Sequence, residues 1–158
     1  MADLVESVAP GVIDPDEPFT ITGHSAGGQL ALWGGLRSGP ARVSRIVALA
    51  PVADLVAAAR ARMGNDAVSD FLGGGPDERR AAYAEADPMR LLPGDVPVTI
   101  IQGQLDEDVP AKANRAVAHA LSTAGSVTYV EVPDVEHYAL VDPLAAVFGA
   151  VVLPHLRG

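Results

Sequence analysis

The chain has 158 residues, a length typical of one domain, and its 11 lysines and arginines against 20 aspartates and glutamates give a formal net charge of -9. Hydrophobic residues make up 49% of the sequence, which is enough for a sizeable core and argues against intrinsic disorder. The acidic balance argues against nucleic-acid partners, because no basic patch offsets repulsion by phosphates. The absence of cysteine from the sequence excludes disulfides, thiolate nucleophiles and cysteine-ligated metals.

No targeting or membrane segment is recognisable in this sequence. The stretch from Met1 to Ser7 lacks both the basic and the long apolar region of a signal peptide. The longest apolar run, Leu144 to Leu153, is about half as long as the ~20 residues of a membrane helix. We therefore expect no membrane partner and a cytoplasmic location.

In the first half of the chain the pattern predicts three helices and two strands. In chain order they are a helix over 2–9 that ends at Pro10-Gly11, a strand over Phe19–Thr22, a helix from Gly28 to Gly39-Pro40, a strand over Arg45–Ala50 and an alanine-rich helix from Pro51 to about Met63.

The second half begins with an irregular excursion at about 64–94 that holds several short helical pieces. It is followed by a strand over Pro97–Ile101, a helix with Pro110 at its first position and a stop at Gly125, a strand over Val127–Val132 and a last helix from about Pro143 to Leu153. The apolar positions of the helix after Pro110 are Ala113, Ala116, Val117, Ala120 and Leu121.

Strands and helices therefore alternate about four times, which is typical of βαβ units. The strand over Arg45–Ala50 is almost continuously apolar, as expected for a strand buried on both faces of a parallel sheet. We predict an α/β fold with a doubly wound, mainly parallel sheet of about four strands. Ligands of such sheets bind at the carboxyl ends of the strands.

A first candidate site residue is Ser25, in the motif Gly23-His24-Ser25-Ala26-Gly27. A G-x-S-x-G between a strand and a helix is typical of a nucleophile elbow, in which a tight, strained turn lifts the serine hydroxyl clear of the sheet. Small residues at Gly23 and Gly27 let strand and helix pass closely, and the Ala26 N–H is the expected oxyanion donor. An ordinary serine in a glycine-rich turn is the alternative. A phosphate loop is excluded, because Gln29 and Leu30 follow Gly28.

A second candidate is Asp106, which follows the third predicted strand in the stretch Gly103 to Pro110. A buried carboxylate at this place can accept the Nδ1–H of a histidine and stabilise the imidazolium. The alternative is a solvated acidic loop in which Asp108 caps the next helix. The spacing and glycine of a calcium loop are absent from the sequence.

A third candidate is His137, in the loop after the last predicted strand. The other three histidines lie in the elbow (His24), within a helix (His119) and near the end of the sequence (His155). A lone loop histidine is more often an ordinary surface residue. However, Ser25, Asp106 and His137 follow successive strands in the order serine, acid, histidine, which favours a Ser-His-Asp triad.

These segments resemble a known family. The block Gly23 to Leu32 resembles the elbow of the α/β-hydrolase superfamily, especially bacterial esterases of the kynurenine-formamidase-like and BD-FAE-like groups. Further similar segments are Phe71-Leu72-Gly73-Gly74, Tyr83, Ala86-Asp87-Pro88, Gly103-x-x-Asp106-x-x-Val109-Pro110 and His137. The resemblance extends from Asp14 to about Phe148 and implies that Ser25, Asp106 and His137 act together, without metal or cofactor.

The sequence also departs from this family. Members have an eight-stranded sheet and an upstream His-Gly-Gly-type motif that supplies a second oxyanion N–H, whereas this sequence contains no His-Gly pair. The resemblance therefore implies the C-terminal half of the fold, so we expect residues 1–158 to be a single, N-terminally truncated domain. The strand at 19–22 then has an open edge through which two copies can pair.

Three functions stay open at this point. The first is a serine hydrolase that cleaves small carboxylic esters through an acyl-enzyme. The second uses the same machinery on amides, as an arylformamidase or as a peptidase of the prolyl-oligopeptidase type. The third is a catalytically weak half-domain that acts through dimerisation.

Overall fold

The computed structural model of the chain describes residues 17–39, 42–121 and 127–157. The predicted helix over 2–9 and the predicted stop at Gly125 lie outside these residues. The strands are β1 (Phe19–His24), β2 (Val43–Leu49), β3 (Val98–Gly103) and β4 (Val127–Val132). The α-helices are α1 (Ala26–Ser38), α2 (Leu55–Arg60), α3 (Met63–Leu72), α4 (Arg80–Ala86), α5 (Ala111–Ala120) and α6 (Leu153–Arg157). Short 3-10 turns cover Pro88–Arg90 and Tyr138–Leu140, and a π-turn covers Phe148–Val152.

The strands form one four-stranded sheet in the order β1-β2-β3-β4, and all three pairs are parallel. In the register, Ile46 of β2 lies opposite Ile21 of β1 and Val98 of β3. This arrangement confirms the predicted fold class. All carboxyl ends therefore meet at one edge, where β1 runs into Ser25 and β3 into the loop that carries Asp106.

Successive residues of β2 point to opposite faces of the sheet, and each face has its own core. On one face Ile46 and Ala48 pack with residues of α1 and α5, such as Leu32 and Val117. On the other face Val47 and Leu49 pack with Leu140, Val152 and other residues near the end of the chain. Helical segments therefore cover both faces, as a doubly wound sheet requires.

Three predicted helices differ from the structure. The helix after Pro51 begins only at Leu55 and ends at Arg60, because Arg62 takes the left-handed conformation with φ 53°. The last helical segment begins well after Pro143, since the Asp142 carboxylate accepts the Leu144 N–H (2.9 Å) in a competing local turn. In α5, Pro110 lies one residue before the helix rather than at its first position.

The excursion at 64–94 forms a small layer next to α1. Its Tyr83 packs against Leu55 and Ala59 of α2 in a separate apolar cluster. Two side chains of α1 hold it: Gln29 Nε2 donates to Ala86 O (2.8 Å) and Trp33 Nε1 donates to Glu85 O (2.7 Å). The excursion is therefore attached to the helix that follows Ser25. Among all the helices described, none has the length and apolar character needed to cross a bilayer.

Candidate active site

Ser25 stands between the end of β1 and the start of α1 with φ 56° and ψ -120°. A serine in such a backbone conformation costs on the order of 1–3 kcal/mol unless its surroundings enforce it. Three backbone hydrogen bonds do so. The Ser25 N–H donates to Leu49 O (2.9 Å), and the Ser25 carbonyl accepts the N–H groups of Gln29 (3.1 Å) and Val52 (3.3 Å). The structure thus has the sharp, strained turn that the motif predicts.

The glycines of this turn differ in their surroundings. A Cβ at Gly23 would lie 2.1 Å from Gly27 O, so the strand and the helix approach as closely as expected there. A Cβ at Gly27 would meet nothing within 4 Å, so this position has room for an alanine and does not require glycine itself. At Gly28, a Cβ would instead lie 2.9 Å from Pro51 Cβ.

Asp106 and His137 form a buried pair at the ends of β3 and β4, with 5% and 3% of their surfaces exposed. The His137 Nδ1–H donates to Asp106 Oδ2 (2.6 Å), and Asp106 Oδ1 accepts the Val109 N–H (2.8 Å). Because Nδ1 is engaged in this way, the neutral imidazole leaves Nε2 as a proton acceptor. This is the geometry of an oriented general base.

The loops that carry Asp106 and His137 are bound to each other through their backbones. The Gln104 N–H donates to Val132 O (2.9 Å) and the Leu105 N–H donates to Val135 O (2.9 Å). A Cβ at Gly103 would lie 2.4 Å from Val135 O, so only glycine permits this approach. In the sequence, Gly103 stands out only as part of a family motif. Its position at the end of an apolar strand is the signal that marks it.

His24 links the elbow to this pair. Its Nε2–H donates to His137 O (3.0 Å), and the centroids of the two imidazole rings are 4.2 Å apart. Burial, and next the neighbouring His137, lower the pKa of His24 from 6.5. The residue before Ser25, His24, is therefore in direct contact with His137. Ser25 Oγ itself makes no hydrogen bond to any residue that the structure describes. Such catalytic contacts often close only when substrate binds.

Two hollows lie near these residues. One of about 620 Å³ is lined by the acid loop at 104–108, by Glu136, His137 and Tyr138. The other, of about 700 Å³, lies between the segments at 51–65 and 107–120 and also contacts Met89. Phe71 lines neither hollow and is 82% exposed.

The acid loop also brings metal-ligating groups together, since Asp106, Asp108 and His137 offer ligand atoms within 4.8 Å of one another. Both oxygens of Asp106 and the Nδ1 of His137 are already engaged in the hydrogen bonds described above. These contacts fit an acid–base pair better than a set of metal ligands. Asp108 itself is exposed and does not cap α5, contrary to the alternative considered for it.

The comparisons with known proteins identify the family and the fold of the chain. The family model BD-FAE matches residues 12–121. A puromycin-hydrolysing peptidase of Mycobacterium tuberculosis is similar at 26% identity and a TM-score of 0.69, over 86% of this chain and 20% of that one. Esterase B of Lactobacillus rhamnosis has a TM-score of 0.73 at 20% identity, over 99% of this chain and 57% of that one. The latter likeness shows the fold alone.

The chain thus spans about 20% of the length of the first peptidase structure that it resembles. Another similar fold is a monoacylglycerol lipase of Paleococcus ferrophilus, with a TM-score of 0.62 and 16% identity over 98% of this chain and 73% of that one. A comparison with curated protein sequences finds no match. The structures named here are hydrolytic enzymes with an α/β-hydrolase fold.

Proposed function

Because the chain belongs to the BD-FAE family, of the α/β-hydrolase fold, we propose that it is a serine hydrolase that cleaves small carboxylic esters. The single observation that supports this most strongly is the buried hydrogen bond of 2.6 Å between His137 and Asp106, at the sheet edge where Ser25 occupies a strained elbow. A histidine oriented by a carboxylate beside an elbow serine is the arrangement that acyl transfer needs.

In the proposed reaction Ser25 Oγ attacks the ester carbonyl while His137 Nε2 takes its proton. Asp106 keeps Nδ1 protonated and stabilises the imidazolium. The Ala26 N–H, at the first position of α1 and without an intrahelical acceptor, stabilises the oxyanion. His137 then gives the proton to the leaving alcohol, and water hydrolyses the acyl-enzyme by the same steps.

A fluorophosphonate probe tests the nucleophile. We expect it to label the wild type and to spare Ser25→Ala, which should also lose at least about 10³-fold in hydrolysis of p-nitrophenyl acetate. The control is Ser44→Ala, in which an exposed serine of β2 is replaced. Equal labelling of Ser25→Ala and the wild type would contradict the proposed mechanism.

Amide cleavage is a second candidate, favoured by the 26% identity to a puromycin-hydrolysing peptidase. It covers the arylformamidase and peptidase alternatives, which use the same three residues. Turnover of p-nitrophenyl acetate, N-formylkynurenine and an aminoacyl p-nitroanilide, measured on one preparation, ranks the three substrate classes. A higher kcat/KM on either amide than on the ester would replace the ester proposal.

A catalytically weak half-domain that acts through dimerisation is the remaining candidate, and the position of β1 at the edge of the described sheet favours it. The Phe19 and Ser25 N–H groups point towards β2, since they donate to Arg42 O and Leu49 O. Backbone groups alternate along a strand, so those of Thr20, Thr22 and His24, which we call the open row, face away from β2. A wild-type dimer in which the fluorophosphonate probe does not label Ser25 would favour this candidate.

A further inference from the structure

Two amide side chains that the proposed reaction does not use are buried next to Asp106. Gln102, near the end of β3, is 0% exposed, and Asn114 of α5 is 1% exposed. A buried amide is costly unless its donors and acceptors are satisfied. The contacts of these two side chains therefore carry information about why they are there.

The Nε2 of Gln102 lies within hydrogen-bond distance of three acceptors. It is 3.0 Å from Asp106 Oδ2, 3.1 Å from Gly103 O and 3.1 Å from Val109 O. All three are oxygen atoms without hydrogens, so the side of the amide that faces them is the donating one. Gln102 thus donates to the same carboxylate oxygen that accepts the proton of His137.

Asn114 determines this orientation of Gln102 from the other side. Its Nδ2 donates to Gln102 Oε1 (2.7 Å) and to Pro51 O (2.9 Å). Since the Gln102 oxygen is occupied by Asn114, a reversed amide would place two donors against each other. The hydrogen bonds therefore run in one direction, from Asn114 to Gln102 and from Gln102 to Asp106.

We propose that Gln102 and Asn114 are positioning residues that hold the Asp106 carboxylate in the orientation that receives the His137 Nδ1–H. The catalytic part of this inference rests on the proposed function, whereas the positional part does not. Asn114 does not touch Asp106 in the described structure and acts through Gln102. Pro51, whose carbonyl accepts from Asn114, lies two residues after the end of β2 and connects the two amides to the backbone.

The test replaces each amide by a side chain of similar shape without donors, in Gln102→Met and Asn114→Leu. The control is Gln29→Met, because Gln29 also donates from its amide to a backbone carbonyl but lies outside these hydrogen bonds. Two quantities are measured: the proton NMR signal of the His137 Nδ1–H, and kcat and KM for p-nitrophenyl acetate. His24, Asp108 and Tyr138, which also lie near His137, are unchanged in all variants.

We expect the His137 Nδ1–H signal to shift or broaden in both variants and to keep its position in the control. The value of kcat should fall by about 10- to 100-fold in Gln102→Met, with KM nearly unchanged, because the base is misplaced while the rest of the site stays intact. In the double variant kcat should fall no further than in Gln102→Met alone, because both substitutions interrupt the same series of hydrogen bonds to Asp106.

An unchanged His137 signal in Gln102→Met, or additive losses in the double variant, would overturn the inference. If Gln102→Met does not fold, Asn114→Leu provides the same test. It keeps the Gln102 side chain next to Asp106 and removes only the hydrogen bond that fixes the orientation of the Gln102 amide. If the wild type hydrolyses nothing and takes no probe, the proposed function fails. The NMR signal then still decides whether the amides position the Asp106–His137 pair.

Discussion

At the scale of single residues, His24 is in contact with both parts of the site. It precedes Ser25 in the chain, and its ring lies against the ring of His137, where its Nε2–H donates to the His137 carbonyl. This hydrogen bond exists with the neutral ring. Burial favours the neutral form, so the structure uses His24 as an uncharged donor that holds the loop of His137.

This predicts a dependence of stability on pH. Since the pKa of His24 in the folded protein lies below 6.5, the unfolded chain binds a proton that the folded protein resists. The contribution of His24 to stability is therefore intact above about pH 6.5 and is lost as the pH falls through this value. His24→Gln keeps a hydrogen-bond donor but does not titrate. Its free energy of unfolding in urea should equal that of the wild type at pH 8 and be higher than that of the wild type at pH 5. A constant difference between the two proteins at both pH values would contradict this role.

Residue types and chain order led to Ser25, Asp106 and His137 as site residues, and the structure places all three at one edge of the sheet, because the carboxyl ends of parallel strands meet there. Their roles stay a prediction. Gln102 and Asn114 were not predicted. Apolar periodicity marks buried positions by their hydrophobicity, so a buried amide inside an apolar strand or on the inner face of a helix is invisible to it. Its partners come from chain segments far apart in sequence, and only the fold brings them together.

At the scale of elements, the contact between β1 and α1 depends on one glycine. The Cβ of an alanine at Gly23 would collide with the Gly27 carbonyl, a backbone atom that cannot move aside without shifting the helix. At Gly27 the space is open, and the residue lies in the first turn of α1. The two elbow glycines are therefore a matched pair for mutation.

We expect Gly23→Ala to reduce the free energy of unfolding by about 1–3 kcal/mol through overpacking. Gly27→Ala should raise it by about 0.5–1 kcal/mol, because alanine favours the helix over the unfolded chain. Urea unfolding monitored by circular dichroism measures both values. Destabilisation of similar size in the two variants would show that the collision at Gly23 does not determine the turn.

The helices also show where sequence patterns mislead. In α5 the 3.6-residue period correctly placed Val117 and the following Leu121 in the core, yet Ala116 and Ala120 are exposed and Asn114 takes a buried position. Alanine is small enough for either environment, so it defines a helix face poorly. The strands were predicted within two residues at their ends, since continuous apolar runs between turn residues admit few alternatives.

At the scale of the whole molecule, the open row of β1 is a place for another strand. Homodimerisation through this edge is the corresponding prediction. Thr20→Pro removes an N–H that faces away from β2, so it blocks pairing at the edge and leaves the bonds to β2 intact. Light scattering after gel filtration should show a dimer for the wild type and for Thr20→Ser, and a monomer for Thr20→Pro. A dimer that persists in Thr20→Pro would exclude this edge as the interface.

The open row ends at His24, one position before the proposed nucleophile, Ser25. A strand added at this edge would bind backbone groups of His24, whose ring is in contact with His137. Protein concentration would then affect the reactivity of Ser25 as well as the oligomeric state. The rate at which a fluorophosphonate reacts with Ser25 would change over the same concentrations at which the dimer dissociates.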